Sequence, residues 1–187
     1  MKNLKKTILY LLNNTGINMN FINGDISQTS VDCLIIPNNG RGIAKKGVTK
    51  SVLYKAGEDI VKETLQICFD KGFYKAGDAF ETHSGDLSLH DVHALIHAVT
   101  SDNPKDKAKI DICRKAIISS IILLKARGFK TVAIPSIGIE ARNIDAQQSS
   151  KMMIETLLPF DKSIKINIID TNENFMSLCT TFYEKLK

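Results

Sequence analysis

Short apolar runs typical of β-strands alternate along this chain with longer segments in which apolar residues recur every three or four positions. The helical pattern is clearest where Cys113, Ile117 and Ile121 precede Gly128, a residue type favoured at helix C-termini. Extended segments are predicted at 17–26, 31–36, 78–83, 93–100, 131–137 and 164–168, and helices at 47–70 with a break near Gly57, 110–128, 145–158 and 175–186. This alternation is typical of a mostly parallel sheet covered by helices, so we expect an α/β fold.

The length of the chain fits one domain. Its 187 residues compare with about 150 for a typical domain. Hydrophobic residues make up 43% and charged residues 24%, which is close to the globular average and excludes a disordered or fibrous chain. No apolar run approaches the roughly 18 residues that cross a bilayer, so an integral membrane protein is excluded too. We therefore expect a single domain over residues 1–187.

The N-terminal segment 1–16 carries lysines followed by a short apolar stretch, as a signal peptide does. The stretch ends at Asn13 and Asn14 without a small-residue cleavage site, so we interpret the segment as a helical extension of the domain. The four cysteines are widely separated, which fits neither a CxxC metal site nor a small disulfide framework. We therefore predict buried thiols in a cytoplasmic protein.

The net charge of +5 suits an anionic ligand, but the lysines are spread along the chain and identify no partner by themselves. Residues 42–49, GIAKKGVT, resemble a phosphate-binding loop, yet Val48 stands where that loop needs its lysine, which argues against a nucleoside triphosphatase. A glycine-bearing loop that opens a helix can still present backbone N–H groups to an anion.

Three polar turns follow predicted strands, at 23–26, 37–47 and 135–140. In an α/β sheet ligands bind at the carboxyl ends of the strands, so we expect these turns on one rim. The histidines do not predict a metal site, because His93 and His97 on one strand would lie roughly 13 Å apart. No Gly-x-Ser-x-Gly elbow marks a serine nucleophile. We expect neither a metal nor a cofactor.

Five segments occur in an order and at a spacing that resemble the macro domain, an ADP-ribose-binding α/β module. They are 24–26 (GDI), 31–39 (VDCLIIPNN), 77–79 (GDA), 95–99 (LIHAV) and 132–137 (VAIPSI). The resemblance extends from about residue 18 to residue 186. It implies a three-layer α/β/α sandwich with a mixed, mostly parallel sheet.

The resemblance also implies a binding site. Asp25 matches the family aspartate that accepts a hydrogen bond from the adenine amino group, and Asn39 matches the asparagine that contacts the distal ribose. An ordinary turn cap and an ordinary Asn-Gly turn are the alternatives for these two positions. Lys45 and Lys46 are the expected phosphate or anion contacts. The other expected ligand contacts are Ile26, Gly47, Val48, Ser136, Gly138, Ile139, Glu140 and Arg142.

The chain departs from the family pattern where hydrolytic members need polar groups. Ile36 replaces the first asparagine of Asn-Ala-Ala-Asn, and Thr49 replaces the aspartate that opens the first helix in many hydrolases. Glu140 and Arg142 replace a glycine and an aromatic residue of the last loop. No catalytic residue is assigned, and we expect hydrolysis to be slow or absent.

The leading interpretation is binding of ADP-ribose or a related nucleotide, with weak hydrolysis of ADP-ribosyl groups or O-acetyl-ADP-ribose. An ADP-ribosylated protein or a nucleic acid would be the macromolecular partner, and no membrane is involved. The alternative is a divergent interaction module that has lost ADP-ribose binding. Such a module would hold another anion, such as nucleic acid, through Lys45, Lys46, Arg41 and Arg142.

Overall fold

A six-stranded sheet with helices on both faces organises the chain. The computed structural model describes residues 18–139, 144–160 and 164–186, so the helical extension predicted for 1–16 lies outside the described residues. The strands are β1 (Asn18–Asn23), β2 (Cys33–Asn39), β3 (Ala79–His83), β4 (Ala94–Ser101), β5 (Thr131–Ile134) and β6 (Lys165–Asp170). The helices are α1 (Gly47–Ala56), α2 (Glu58–Asp70), α3 (Ile110–Ala126), α4 (Ala146–Leu157) and α5 (Glu173–Leu186).

The strand order in the sheet is β1-β6-β5-β2-β4-β3. Every neighbouring pair is parallel except β3 and β4, which run antiparallel. The carboxyl ends of β1, β6, β5, β2 and β4 therefore meet at one edge of the sheet. The mixed, mostly parallel sheet expected from the sequence is confirmed.

The side chains of β2 show why helices cover both faces. Cys33 and Ile35 point into a core formed with α3, α4 and α5. Leu34 and Ile36, one residue out of phase, point into a second core formed mainly with α1 and α2. Because successive strand residues face opposite sides, a fully apolar strand needs cover on both. The result is the three-layer α/β/α sandwich.

The end of β2 differs from the sequence prediction, which placed a turn from Pro37 onward. The strand continues through Pro37 to Asn39, and it pairs with β4 along this stretch. Pairing with β5 extends only over Cys33 and Leu34. Proline lacks a backbone N–H, so it is tolerated in a strand where one side has no neighbour.

The strand predicted at 131–137 ends earlier, at Ile134. Beyond Pro135 the backbone N–H of Ser136 donates to the Asp170 carboxylate over 2.9 Å, rather than to a neighbouring strand. The chain therefore leaves the sheet at the edge where the strand carboxyl ends meet. This loop contains the predicted contacts Ser136, Gly138 and Ile139.

Helix boundaries follow local sequence signals. Gly57 separates α1 from α2, as the predicted break near this residue requires. Asp145 caps α4 in a capping box, with its carboxylate accepting from the Gln148 backbone N–H and the Gln148 side chain accepting from the Asp145 N–H.

The four cysteines are free and buried, which confirms the prediction of buried thiols.

Candidate functional site

Two adjoining cavities open at the carboxyl edge of the sheet. One, of about 370 Å³, is lined by Asp25 and the loop after β1, and we call it the Asp25 cavity. The other, of about 530 Å³, is lined by the end of β2 and the loop after β4, and we call it the Asn39 cavity. Ser136 lines both. Their volumes fall in the range of small-molecule sites.

Asp25 lies in the Asp25 cavity and is held by three hydrogen bonds. Its Oδ1 accepts from the Ser27 backbone N–H and hydroxyl, over 3.0 and 2.7 Å, and its Oδ2 pairs with Lys55 Nζ over 2.6 Å. Partial burial raises the pKa of this carboxyl, but the hydrogen bonds from Lys55 and Ser27 outweigh burial and the pKa falls below its usual value. Asp25 is therefore an ionised acceptor that also caps the 3₁₀ turn Ile26–Gln28.

Asn39 lines the Asn39 cavity, but its amide is largely used within its own loop. The side-chain Nδ2 donates to the Ile43 carbonyl over 2.8 Å, and Oδ1 accepts from the Arg41 and Ile43 backbone N–H groups. These bonds hold the chain after β2 in a tight turn. Asn39 therefore performs the turn role and borders the cavity at the same time.

The N-terminus of α1 borders both cavities. Gly47 and Val48 line the Asp25 cavity, whereas Lys45, Lys46 and Thr49 line the Asn39 cavity. No side chain caps this helix start. Gly47 has φ +71°, a backbone conformation that glycine adopts at little cost. An uncapped helix start attracts negative charge through its N–H groups and dipole.

Each predicted contact that the structure describes lines at least one of the two cavities. The Asp25 cavity contains Asp25, Ile26, Gly47, Val48, Ser136 and Ile139, and the Asn39 cavity contains Asn39, Lys45, Lys46, Ser136 and Gly138. Glu140 and Arg142 lie outside the described residues. Their expected effects on the last loop stay predictions.

Arg41, which the anion-binding alternative included, does not line the Asn39 cavity. Its guanidinium lies 3.8 Å from the centroid of the Phe73 ring, and its Nε donates to Asn103 Oδ1 over 3.2 Å. Stacking on an aromatic ring and this hydrogen bond hold the guanidinium in place. The basic side chains described in the cavity wall come from lysines instead.

The sequence prediction missed one wall of the Asn39 cavity. Thr100, Lys105 and Asp106, at the end of β4 and in the loop that follows, line it. Asp106 is a carboxylate whose Oδ2 accepts from the backbone and side-chain nitrogens of Asn103. The rule that points to turns after parallel strands applies equally to β4 and would have found this loop.

Asn38 is a further cavity residue that the sequence prediction did not include. The residue is only 6% exposed, and its Nδ2 lies 2.9 Å from Nδ1 of the fully buried His97. Burial lowers the pKa of His97 to about 3, so the ring is neutral. The ring stacks on Phe80 at a centroid distance of 4.4 Å.

Thr49 stands where many hydrolytic members of the resembled family carry a carboxylate. It is buried, and its hydroxyl donates to the Pro37 carbonyl. A threonine engaged in this way supplies no general base to the Asn39 cavity. Among residues 18–139, 144–160 and 164–186, no group of three acidic, histidine or cysteine side chains is arranged to hold a metal ion.

The match to a family model shows to which protein family the chain belongs. The macro domain model matches residues 36–153, which is more than half of the chain. The chain belongs to the macro domain family. The matched region includes the end of β2, all of α1 and the loop after β5, so most of the cavity walls lie within it.

Relatives of this macro domain are distant in sequence. A protein of Aquifex aeolicus is 27% identical over 157 residues, which cover 83% of this chain and 91% of the relative. An O-acetyl-ADP-ribose deacetylase of Escherichia fergusonii is 22% identical over 139 residues, covering 74% of this chain and 77% of the enzyme.

Solved structures share the fold. A mutant of the Oceanobacillus iheyensis macrodomain with ADPR superposes with a TM-score of 0.79 at 16% identity, covering 92% of this chain and 96% of that one. The Trypanosoma brucei macrodomain in complex with ADP gives a TM-score of 0.76 at 14% identity, covering 88% of this chain and 68% of that one.

None of the helices described here has the length and apolarity that crossing a bilayer requires.

Proposed function

We propose that this macro domain binds ADP-ribose or a closely related nucleotide in the two adjoining cavities. The observation that carries the proposal is the uncapped N-terminus of α1, which borders both cavities and offers an anion site between them. A diphosphate at this position would leave one nucleoside-like group on each side. The names of several relatives, which include ADPR, ADP and O-acetyl-ADP-ribose, agree with this ligand class.

The two ends of the cleft suit the two ends of such a ligand. Asp25 is ionised and partly exposed, so it can accept a hydrogen bond from the adenine amino group in the Asp25 cavity. The Asn39 cavity, with its asparagines, threonines and lysines, would take the distal ribose. Lys45 and Lys46 lie beside the start of α1 and would add positive charge near the diphosphate.

Hydrolysis is expected to be slow, because Thr49 donates its hydroxyl to a backbone carbonyl and cannot serve as a general base. Residual activity on ADP-ribosyl groups or O-acetyl-ADP-ribose would come from a water held among polar groups of the Asn39 cavity. A turnover near the enzyme median of about 10 per second would contradict this account.

Calorimetry with ADP-ribose tests the proposal directly, and Asp25 is the first residue to change. Asp25→Ala is expected to weaken binding by about 1 to 3 kcal/mol, the usual cost of losing a hydrogen bond to a charged group. Lys55→Met is the matched control, since it removes the ion pair but leaves the carboxylate. Equal losses in the two variants would mean that Asp25 acts only through its ion pair.

The lysine pair separates the leading proposal from binding of nucleic acid. Lys45→Ala combined with Lys46→Ala should weaken ADP-ribose binding and flatten its dependence on salt. Lys130→Ala combined with Lys165→Ala makes the same charge change at exposed positions near the amino ends of β5 and β6 and should have little effect. Tight binding of a short oligonucleotide with no binding of ADP-ribose would instead favour the divergent interaction module.

A further inference from the structure

A buried chain of hydrogen bonds runs from the edge strand β3 to the wall of the Asn39 cavity. Thr82 Oγ1 lies 3.0 Å from His97 Nε2, and His97 Nδ1 lies 2.9 Å from Asn38 Nδ2. Asn38 Oδ1 in turn accepts from the Asn39 backbone N–H over 2.8 Å. All four residues are less than 10% exposed. Buried polar groups in such a chain have few alternative partners, so their orientations are fixed together.

The directions of these hydrogen bonds follow from one group that can only donate. The Asn39 backbone N–H must face an acceptor, so the oxygen of the Asn38 amide lies on that side and the nitrogen lies toward His97. His97 Nδ1 must then be the acceptor, and the ring proton is on Nε2, where it can be donated to Thr82 Oγ1. The low pKa of His97, caused by burial, agrees with a neutral ring of this kind.

A β-bulge brings Asn38 and Asn39 to the same cavity. Consecutive residues in a regular strand face opposite sides, but the pairing register shifts between Asn38, opposite Val99, and Asn39, opposite Ser101. Thr100, which the shift leaves without a partner in register, donates its hydroxyl to the Asn38 carbonyl over 3.1 Å. Both asparagines consequently line the Asn39 cavity.

The two asparagines differ in what they have left to offer a ligand. In Asn39 the oxygen already accepts two hydrogen bonds and one amide hydrogen is donated to Ile43. In Asn38 the oxygen accepts one bond and the nitrogen makes one, so one acceptor position and one amide hydrogen remain. A pair of ribose hydroxyls needs both a donor and an acceptor, and Asn38 supplies both from one group.

We propose that Asn38 is a contact for the distal ribose and that His97, behind it, is the positioning residue that, together with the Asn39 N–H, holds the Asn38 amide in one orientation. This inference rests on the proposed binding of ADP-ribose. Without an acceptor at His97 Nδ1 the amide keeps only the hydrogen bond from the Asn39 N–H, and its NH₂ group loses its buried partner. The amide can then turn about its remaining hydrogen bond, so the donor and the acceptor presented to the ribose are no longer held in place.

Two substitutions of His97 distinguish the role of its Nδ1 from the role of its Nε2. An asparagine side chain can place its oxygen where Nδ1 lies, so His97→Asn keeps the acceptor for Asn38. A glutamine side chain reaches the position of Nε2, so His97→Gln keeps the contact with Thr82 but removes the acceptor. Both changes remove the ring that stacks on Phe80, so a purely structural role predicts similar losses for the two variants.

The readout is the preference for ADP-ribose over ADP, measured by calorimetry on the full chain. ADP lacks the distal ribose, so its affinity reports on the rest of the cleft. We expect His97→Gln and Asn38→Ala to reduce the ratio of ADP-ribose affinity to ADP affinity roughly threefold to tenfold, as the loss of about one hydrogen bond implies. His97→Asn should restore most of that ratio. Equal ratios in the wild type, His97→Gln and Asn38→Ala would overturn the inference.

Two further results keep this test distinct from the test of the proposed function. If the wild-type chain binds neither ADP-ribose nor ADP, the proposed function fails and the inference fails with it. If the wild type binds ADP-ribose, only the ratios decide the inference. Nitrogen-15 NMR of the imidazole gives a ligand-free check, because the geometry requires the proton on Nε2 of His97. A proton on Nδ1 would refute the positioning role whatever the affinities are.

Discussion

Protonation of His97 offers a quantitative test of the buried network, because the ring is neutral and inaccessible in the folded chain. Its pKa is lowered by burial to about 3, whereas the ring in the unfolded chain titrates near 6.5. Between these values the unfolded chain binds a proton that the folded chain does not. The free energy of unfolding therefore falls as the pH is lowered through 6.5 and continues to fall until about pH 3.

The size of the effect follows from the two pKa values. Between pH 7 and pH 5 this one ring is expected to lower the free energy of unfolding by about 2 kcal/mol. Carboxyl groups contribute at lower pH. The pKa of Asp32, for example, is raised by partial burial but lowered further by the N–H groups of Lys130 and Thr131, and its stabilising contribution is lost only below its ordinary value of 3.8. The difference between the wild type and a His97 variant over the range from pH 7 to pH 5 therefore isolates the contribution of this ring.

Urea unfolding followed by circular dichroism measures this difference, since the chain has no tryptophan to report by fluorescence. The control is His97→Asn, which removes the titrating ring and should lose the 2 kcal/mol fall, whatever its stability at pH 7. Parallel falls in the wild type and the variant would refute the reasoning. They would mean that the ring is protonated in the folded chain near its ordinary pKa.

Packing and thiol chemistry provide two further predictions. A Cβ added to Gly40 would lie 1.9 Å from the Tyr74 carbonyl oxygen, so Gly40→Ala should reduce the free energy of unfolding by at least about 1 to 3 kcal/mol. The control is Gly24→Ala, which has no atom within 4 Å of the added Cβ. It should change the free energy of unfolding little in the same urea experiment. Thiol-reactive dye at pH 8 should label the folded chain slowly and the urea-unfolded chain fully, and rapid labelling of the folded chain would contradict the structure. Burial keeps all four thiols protonated, raising the pKa to about 11 for Cys68 and Cys113, to about 12 for Cys179 and well above its usual value for Cys33.

Much of the candidate site could be predicted because the relevant signals are local. Asp25 and the loop after β5 each follow a strand within a few residues, and a parallel sheet brings the carboxyl ends of its strands to one edge. The described contacts expected from the resemblance consequently line two adjoining cavities. The wall formed by Lys105 and Asp106 was missed, although it too follows a strand.

Other features depend on residues that are far apart in the chain. Lys55 pairs with Asp25 across 30 positions, and Arg41 stacks on Phe73 instead of lining the cavity. No pattern around Arg41 distinguishes a cavity cation from one that is stacked on a ring. Such pairings are set by how the strands and helices pack, not by the residues on either side.

The sequence by itself determined the order of strands and helices, the break at Gly57 and the capped start of α4, because each depends on the conformational preferences of a few neighbouring residues. Only the tertiary structure decided that β2 extends through Pro37 and that a bulge turns Asn38 toward the cavity. Both follow from where β4 and β5 lie beside β2. The burial that keeps His97 neutral behind Asn38 likewise requires β2, β3 and β4 to assemble first.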